Sequence, residues 1–196
     1  HQRTGWVTSV PVSYVARIFA TTTFSDPDAP VLMVLARLLR AGFLHREIRE
    51  KGGAYGGMAG FDNEAGIFSL LSYRDPNITR TLQVYRQAAE WASQGSFSDQ
   101  DLKEAILATF AAIDKPLSPG GRGHREFLNQ LQGLTPEMRQ RMRQGVLAVG
   151  RDDLTRVARL HLLERWDEGA VSVISGEEAL TLANTELAKP LTIERI

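Results

Sequence analysis

The sequence predicts an α+β domain in which a mostly antiparallel sheet packs against a layer of helices. Three observations carry this expectation. Strand-like and helical stretches run in the order β-α-β-β, then a series of helices, then β-α and a final short β. The strands at 54–61 and 67–73 are joined by FDNEAG, a hairpin-type loop. The helical patterns cluster between 77 and 166, whereas a doubly wound parallel sheet needs strict alternation of strand and helix. At 196 residues the chain is long enough for one domain with its own core or two very small ones, and the expectation is a single domain spanning 1–196.

The elements follow in order. Residues 6–20, WVTSVPVSYVARIFA, are rich in β-branched and aromatic residues and read as one strand, with Pro11 demoting its first half to an edge or bulge. TTTFSDPDAP supplies turn and helix-start chemistry. From Ala29 to about Glu50, Val31, Val34, Leu35, Leu38, Leu39 and Phe43 recur at helical spacing, which predicts a long helix with one buried face, ended by Gly52 and Gly53. In the strand that follows, Gly56 and Gly57 weaken the intrinsic preference and suggest a backbone approached closely by something else. RDPN breaks the next strand, and Asn77 is placed to cap a helix to about Ser93, closed by Gly95.

Ser98 with Asp101 resembles a capping box for a helix over about 99–113. DKPLSPGGRG, 114–123, reads as the clearest loop in the chain, followed by a short helix over 125–131. Thr135-Pro136 starts another helix to about Val149, and Asp152 is placed to cap the next, to about Trp166. GAVSVIS, 169–175, is a buried-type strand; 176–183 reads as helix and LTIERI as a last short strand.

Composition excludes several function classes. The 23 basic and 23 acidic side chains cancel, so no global field draws the chain to nucleic acid or an acidic membrane. The absence of cysteine excludes disulfides and thiolate zinc sites. No apolar run reaches the roughly 18 residues of a spanning helix, and no signal peptide is visible at the start. The expectation is a soluble chain, cytoplasmic if bacterial. Because it opens on HQRTGW without a methionine, it reads as a fragment of a longer protein.

Candidate chemistry is sparse. HLLER, 161–165, departs from both helical zinc motifs, since its fifth position is the cation Arg165. HREIRE, 45–50, has one histidine and no partner, so no self-sufficient metal site is expected. There is no GxSxG elbow for a nucleophilic serine. KGGAYGGMAG invites a phosphate-binding reading, but a P-loop or dinucleotide fingerprint puts its glycines between a strand and a helix, and here the order is helix, glycines, strand.

Arg49 and Tyr55 offer a third reading. Arg49 lies in the last turn of the long helix and Tyr55 across the turn. A guanidinium grips a carboxylate or donates to a carbonyl, a phenol adds a further hydrogen bond, and glycines let a peptide backbone come near. On spacing alone the plainer alternative is favoured: a solvated helix-end cation and a half-buried strand residue.

At these residues a resemblance emerges. LRAGFLHREIREKGGAYGGMAG, FSLLSYRDPNITRTL, DKPLSPGGRG and REFLNQL, in that order, closely resemble the C-terminal part of the presequence-protease branch of the pitrilysin (insulinase-like) metallopeptidases. The similarity runs from about Pro30 to at least Leu134. It implies the LuxS/MPP-like metallohydrolase fold. It also implies two clamshell halves, each of two similar α+β domains, with zinc held in the first domain by an inverted His-x-x-Glu-His motif and a distal glutamate. The last domain of such proteins holds no metal and reaches an arginine and a tyrosine across the chamber to the peptide near the scissile bond. Those positions match Arg49 and Tyr55, at the shorter spacing of the presequence-protease form. His45, one helical turn before Arg49, is expected to face the same chamber, with Gly56 and Gly57 lining the backbone approach.

The implied function is substrate binding within a zinc-dependent oligopeptidase, with no cofactor in this chain and zinc in the full-length protein. The implied partners are a peptide substrate and the N-terminal catalytic half of the same polypeptide, without nucleic acid or membrane; a homodimer of the fragment through uncovered surfaces is a further expectation. The isolated chain is expected to be inactive. The rival reading is a catalytically inactive scaffold that keeps the fold.

Overall fold

The computed structural model of the chain describes residues 2–195. Six strands form one sheet: β1 (Arg3–Val7), β2 (Ser13–Ala20), β3 (Gly56–Asp62), β4 (Ile67–Asp75), β5 (Ala170–Ser175) and β6 (Thr192–Arg195). The helices are α1 (Ala29–Leu39), α2 (Thr79–Ser93), α3 (Asp99–Ile113), α4 (Pro119–Leu131), α5 (Pro136–Ala148), α6 (Arg151–Ala158) and α7 (Glu177–Glu186).

The sheet order is β3-β4-β2-β5-β1-β6. The pairs β3–β4, β4–β2 and β2–β5 are antiparallel, while β5–β1 and β1–β6 are parallel. The α+β expectation therefore holds, with a parallel edge that it did not include. That edge arises because 6–20 is two strands rather than one. β1 ends at Val7 and β2 begins at Ser13, with the chain turning over between them around Pro11, which has no N–H to give a ladder. β5 then enters between the two and pairs with both.

Alternation along β2 and β4 sorts the two faces. Val15, Arg17, Phe19, Phe68, Leu70 and Ser72 are buried, while Tyr14, Ala16, Ile18, Ser69, Leu71 and Tyr73 are open to varying degrees. Helices cover the first set. Leu32, Leu35, Leu38 and Leu39 of α1 are completely or almost completely inaccessible, and each such side chain contributes about 1.5–3 kcal/mol of burial. Tyr85 of α2 is also fully buried and donates its hydroxyl to the Val15 carbonyl at 2.9 Å; burial pushes its phenol upward. Arg17, buried beneath Trp166, stacks its guanidinium 3.9 Å from that ring and donates to its carbonyl; burial brings its pKa down to about 10.

Three local expectations need correction. The stretch 114–123 is only partly loop: Ser118 accepts from the Gly121 N–H at 3.2 Å, Pro119 occupies the first turn, and α4 starts inside SPGGRG despite its glycines. Asn77 does not cap α2; its amide donates to the Gly52 carbonyl at 2.8 Å instead. Asp152 lies within the first turn of α6, and it is Asp153 that accepts from the Gly150 N–H at 2.9 Å. The capping box of Ser98 and Asp101 and the cap at Thr135 form as expected.

Candidate functional site

The site is built from the end of the long helix, the turn after it and the start of β3. Beyond Leu39 the helix does not stop but widens: over Arg40–Glu50 the winding is of the π type, and the Lys51 N–H bonds to the Arg46 carbonyl, five residues back. Such widened segments occur often at functional sites. Leu44 and Ile48 remain fully buried along this stretch, which fixes the rotation of the segment against the sheet and leaves Arg49 exposed.

Gly53 then takes φ +77°, the left-handed conformation that ends a helix, and donates to the Arg49 carbonyl at 3.0 Å. The Ala54 N–H reaches the Ile48 carbonyl at 3.1 Å, and the Tyr55 N–H bonds to the Tyr73 carbonyl at 3.1 Å. All three N–H groups are thus spent on the protein itself. A phosphate cradle needs such groups free, so KGGAYGGMAG closes a helix and opens a strand.

Arg49 and Tyr55 do come together. The Arg49 guanidinium lies 5.8 Å from the centre of the Tyr55 ring, within cation–π range. Tyr55 is 66% exposed, and neither side chain has an ion-pair or hydrogen-bond partner among the described residues. Tyr55 also meets Tyr73 edge-on at 5.7 Å, and Tyr73 meets Tyr14 edge-on at 5.4 Å. Tyr14 of β2, Tyr73 of β4 and Tyr55, just before β3, therefore form a row on the sheet face without helices. The sequence reading did not include Tyr14 or Tyr73; the signal available was their place at open positions of β2 and β4, flanking the bulge described next.

At that bulge Ser13 pairs with Asp75 and Val15 with Ser72, so Tyr73 and Arg74 together oppose Tyr14. Arg74 is the one non-glycine residue with positive φ among those described, at +50°. Bulges beside sites re-aim side chains. Below it, the Asp75 carboxylate is fully buried and accepts from the Asn77 N–H at 2.8 Å and the Thr81 hydroxyl at 2.6 Å. Asn77 in turn holds the Gly52 carbonyl, so β4, α2 and the Gly52–Gly53 turn are tied together beneath Tyr55.

Two expected members take other places. The structure pairs His45 with Glu50, five residues on, at 3.3 Å. His45 lines a separate cleft with Arg37, Asp101 and Glu104, against α3. Gly57 faces the helix rather than an incoming ligand. A β-carbon there would stand 2.9 Å from both the Leu44 carbonyl oxygen and the Ile48 β-carbon. Gly56 is the open one, with no heavy atom within 4 Å of its β-carbon position.

The residues do not fit a metal. No three His, Asp or Glu side chains among the described residues gather as ligands. His161 is committed to Asp28 at 2.9 Å, and Asp28 to Arg156 at 2.6 Å; the hydrogen bonds from Arg156 hold the Asp28 carboxyl below the usual range. No helix among the described residues is long and apolar enough to cross a membrane.

Comparison with known proteins places this geometry. The family model described as "PreP C-terminal domain" matches residues 6–177. The mitochondrial presequence protease of Mus musculus is 46% identical over 160 residues, which is 82% of this chain and 15% of that protein. The chain thus spans about one-sixth of the length of this relative. Among solved structures, the inactive domain of a peptidase from Pseudomonas fluorescens superposes with a TM-score of 0.67 at 15% identity, covering 90% of this chain and 45% of that one. Pitrilysin superposes with a TM-score of 0.62 at 12% identity, covering 100% of this chain and 22% of that one. Those two likenesses show the shared fold, and the family model with the 46% identical relative shows lineage: the chain belongs to the PreP C-terminal domain family.

Proposed function

We propose that this domain binds and orients a peptide in a zinc-dependent oligopeptidase that degrades peptides inside a closed chamber, with the metal held elsewhere in the polypeptide. The observation that carries the reading is the Arg49–Tyr55 pair: a cation and a phenol on converging elements, neither with a side-chain hydrogen bond or ion pair among the described residues, beside the open Gly56. The guanidinium donates to the carbonyl or carboxylate of the peptide, and the Tyr55 hydroxyl donates a second hydrogen bond to the scissile carbonyl oxygen as charge develops there. Rigid support comes from the fully buried Ile48 on one side and the Asn77–Gly52 hydrogen bond on the other. The partner that covers the domain is the catalytic half of the same polypeptide. Phe127 and Leu131 of α4, 58% and 68% exposed, offer apolar surface for such packing.

The test is made in the complete polypeptide. Arg49→Ala and Tyr55→Phe should each lower peptide turnover on the order of 10²-fold or more, with zinc content unchanged by metal analysis. Wild-type rates in both variants would remove the assignment. The absence of a metal cluster among these residues also suits an inactive scaffold. An HxxEH motif upstream, with turnover that depends on Arg49, decides for the peptidase.

A further inference from the structure

Three arginine residues neighbour the turn that carries Tyr55, two by their guanidinium groups and one through its backbone. Arg49 lies beside its ring. Arg74 sits in the β4 bulge, and its carbonyl accepts from the Tyr55 N–H at 3.3 Å. Arg80, in the first turn of α2, lies over Gly52, with Nη1 only 2.6 Å from where a β-carbon would stand. None of the three forms an ion pair among the described residues, although many other arginines do: Arg139 with Glu126, Arg143 with Asp114, Arg151 with Asp99, Arg156 with Asp28.

The acids close by in the chain are already used. Glu47 holds Arg46 and Lys51, and Glu50 pairs with His45. Asp75 is turned into the core and engaged by Asn77 and Thr81. Local stability argues against this arrangement. Arg80 places a cation at a helix N-terminus, where the dipole opposes it, and Arg74 holds a conformation that favours glycine. Like charges gathered without a counter-ion repel each other, and a group that neutralises them is bound in preference.

We propose that Arg74 and Arg80, beside Arg49, form a subsite for a carboxylate of the bound peptide, either an Asp or Glu side chain or the free C-terminus. The planar guanidinium matches a carboxylate with two parallel hydrogen bonds. Tyr55 and Tyr73 flank the site, so a peptide lying along the tyrosine row passes the arginines at its edge. This subsite rests on the peptide-binding reading above but not on Arg49's part in turnover. It makes charge at one peptide position a determinant of selection.

The test uses the complete polypeptide and three labelled, cleavage-resistant peptides of one sequence. The first has a Glu and an amidated C-terminus, the second a Gln and an amidated C-terminus, the third a Gln and a free C-terminus. Fluorescence anisotropy should show the first or third binding about tenfold more tightly than the second, as expected for one charge-assisted contact. The peptide that gains identifies the source of the carboxylate. In Arg74→Gln/Arg80→Gln the preference should fall toward parity, and in Arg74→Glu it should invert toward a Lys-bearing peptide, an outcome that misfolding cannot produce. Equal binding of all three peptides by the wild type, or a preference that survives the double substitution, overturns the subsite. Arg49→Ala turnover is measured separately: wild-type turnover there with an intact carboxylate preference would leave the subsite standing and remove the orienting role of Arg49.

Discussion

Adding a single methyl group at Gly57 probes the joint that holds the site together. In Gly57→Ala the new carbon would lie 2.9 Å from the Leu44 carbonyl oxygen, 2.9 Å from the Ile48 β-carbon and 3.2 Å from its δ-carbon. Two of these atoms belong to or sit directly on helix backbone, and Leu44 and Ile48 are fully buried, so neither can turn aside. Overpacking of this kind costs about 1–3 kcal/mol. The loss of unfolded-state freedom on replacing glycine returns about 0.4–1 kcal/mol. The net expectation is about 1.3 kcal/mol of destabilisation, or roughly 3–5 °C in Tm for a chain of this size. Gly56→Ala is the internal control: the neighbouring residue has open space and a non-positive φ, so stability should hold or rise slightly. Urea unfolding of both variants, with thermal scans alongside, reads the difference. If Gly57→Ala lies within about 0.5 kcal/mol of wild type, or if the two variants behave alike, β3 is not pinned under the helix in the way described.

Other expectations concern the supports around the site. Asp28→Asn should weaken folding at neutral pH by about 2 kcal/mol, since the carboxylate receives charged hydrogen bonds from Arg156. Its folded pKa is lowered, so its contribution is full above the unfolded carboxylate value of about 3.9 and fades as pH falls through the folded value. The gap between wild type and Asp28→Asn should therefore close in acid unfolding curves, and a gap independent of pH would refute the assignment. Asn77→Ala should cost about 1 kcal/mol by leaving the Gly52 carbonyl unmatched, and should lower turnover through a looser Tyr55. Arg74→Gly should stabilise the fold by about 1 kcal/mol by relieving the left-handed conformation, while weakening capture of carboxylate-bearing peptides. A variant that is both less stable and unchanged in peptide preference would show that neither strain nor charge matters there.

Much of this architecture was legible because its signals are local. The capping box at Ser98 and Asp101, Pro136 after Thr135, and the FDNEAG hairpin each announce an element from a few residues. Arg49 and Tyr55 were legible through the resemblance, and the structure brings the two side chains to 5.8 Å. What stayed hidden depends on contacts between distant residues. Splitting 6–20 into two strands needs β5, whose residues are some 160 positions away, to take the place between them. The widening of the helix over Arg40–Glu50 leaves no compositional trace, and within it His45 pairs with Glu50. Gly57 carried the right signal, close approach, without saying what approaches. Asn77 sat at a plausible cap position, but a carbonyl at Gly52 gave its amide a better partner.

The place of β1 in the sheet sets an order in time. β2, β3 and β4 pair among themselves with all their residues between 13 and 75. Among the described residues β1 pairs with β5 and β6, at 170–175 and 192–195, both made long after it. During synthesis it must wait for these partners until β5 has been made, and contacts of such long range are slow to close. Its backbone and Trp6 are exposed through that interval, at the stage when stray strands find wrong partners. A pulse of protease or a hydrogen-exchange label applied to stalled chains should find β1 open long after the β2–β4 unit has closed. Within this domain β1 is then captured late, by strands that follow it by more than 150 residues.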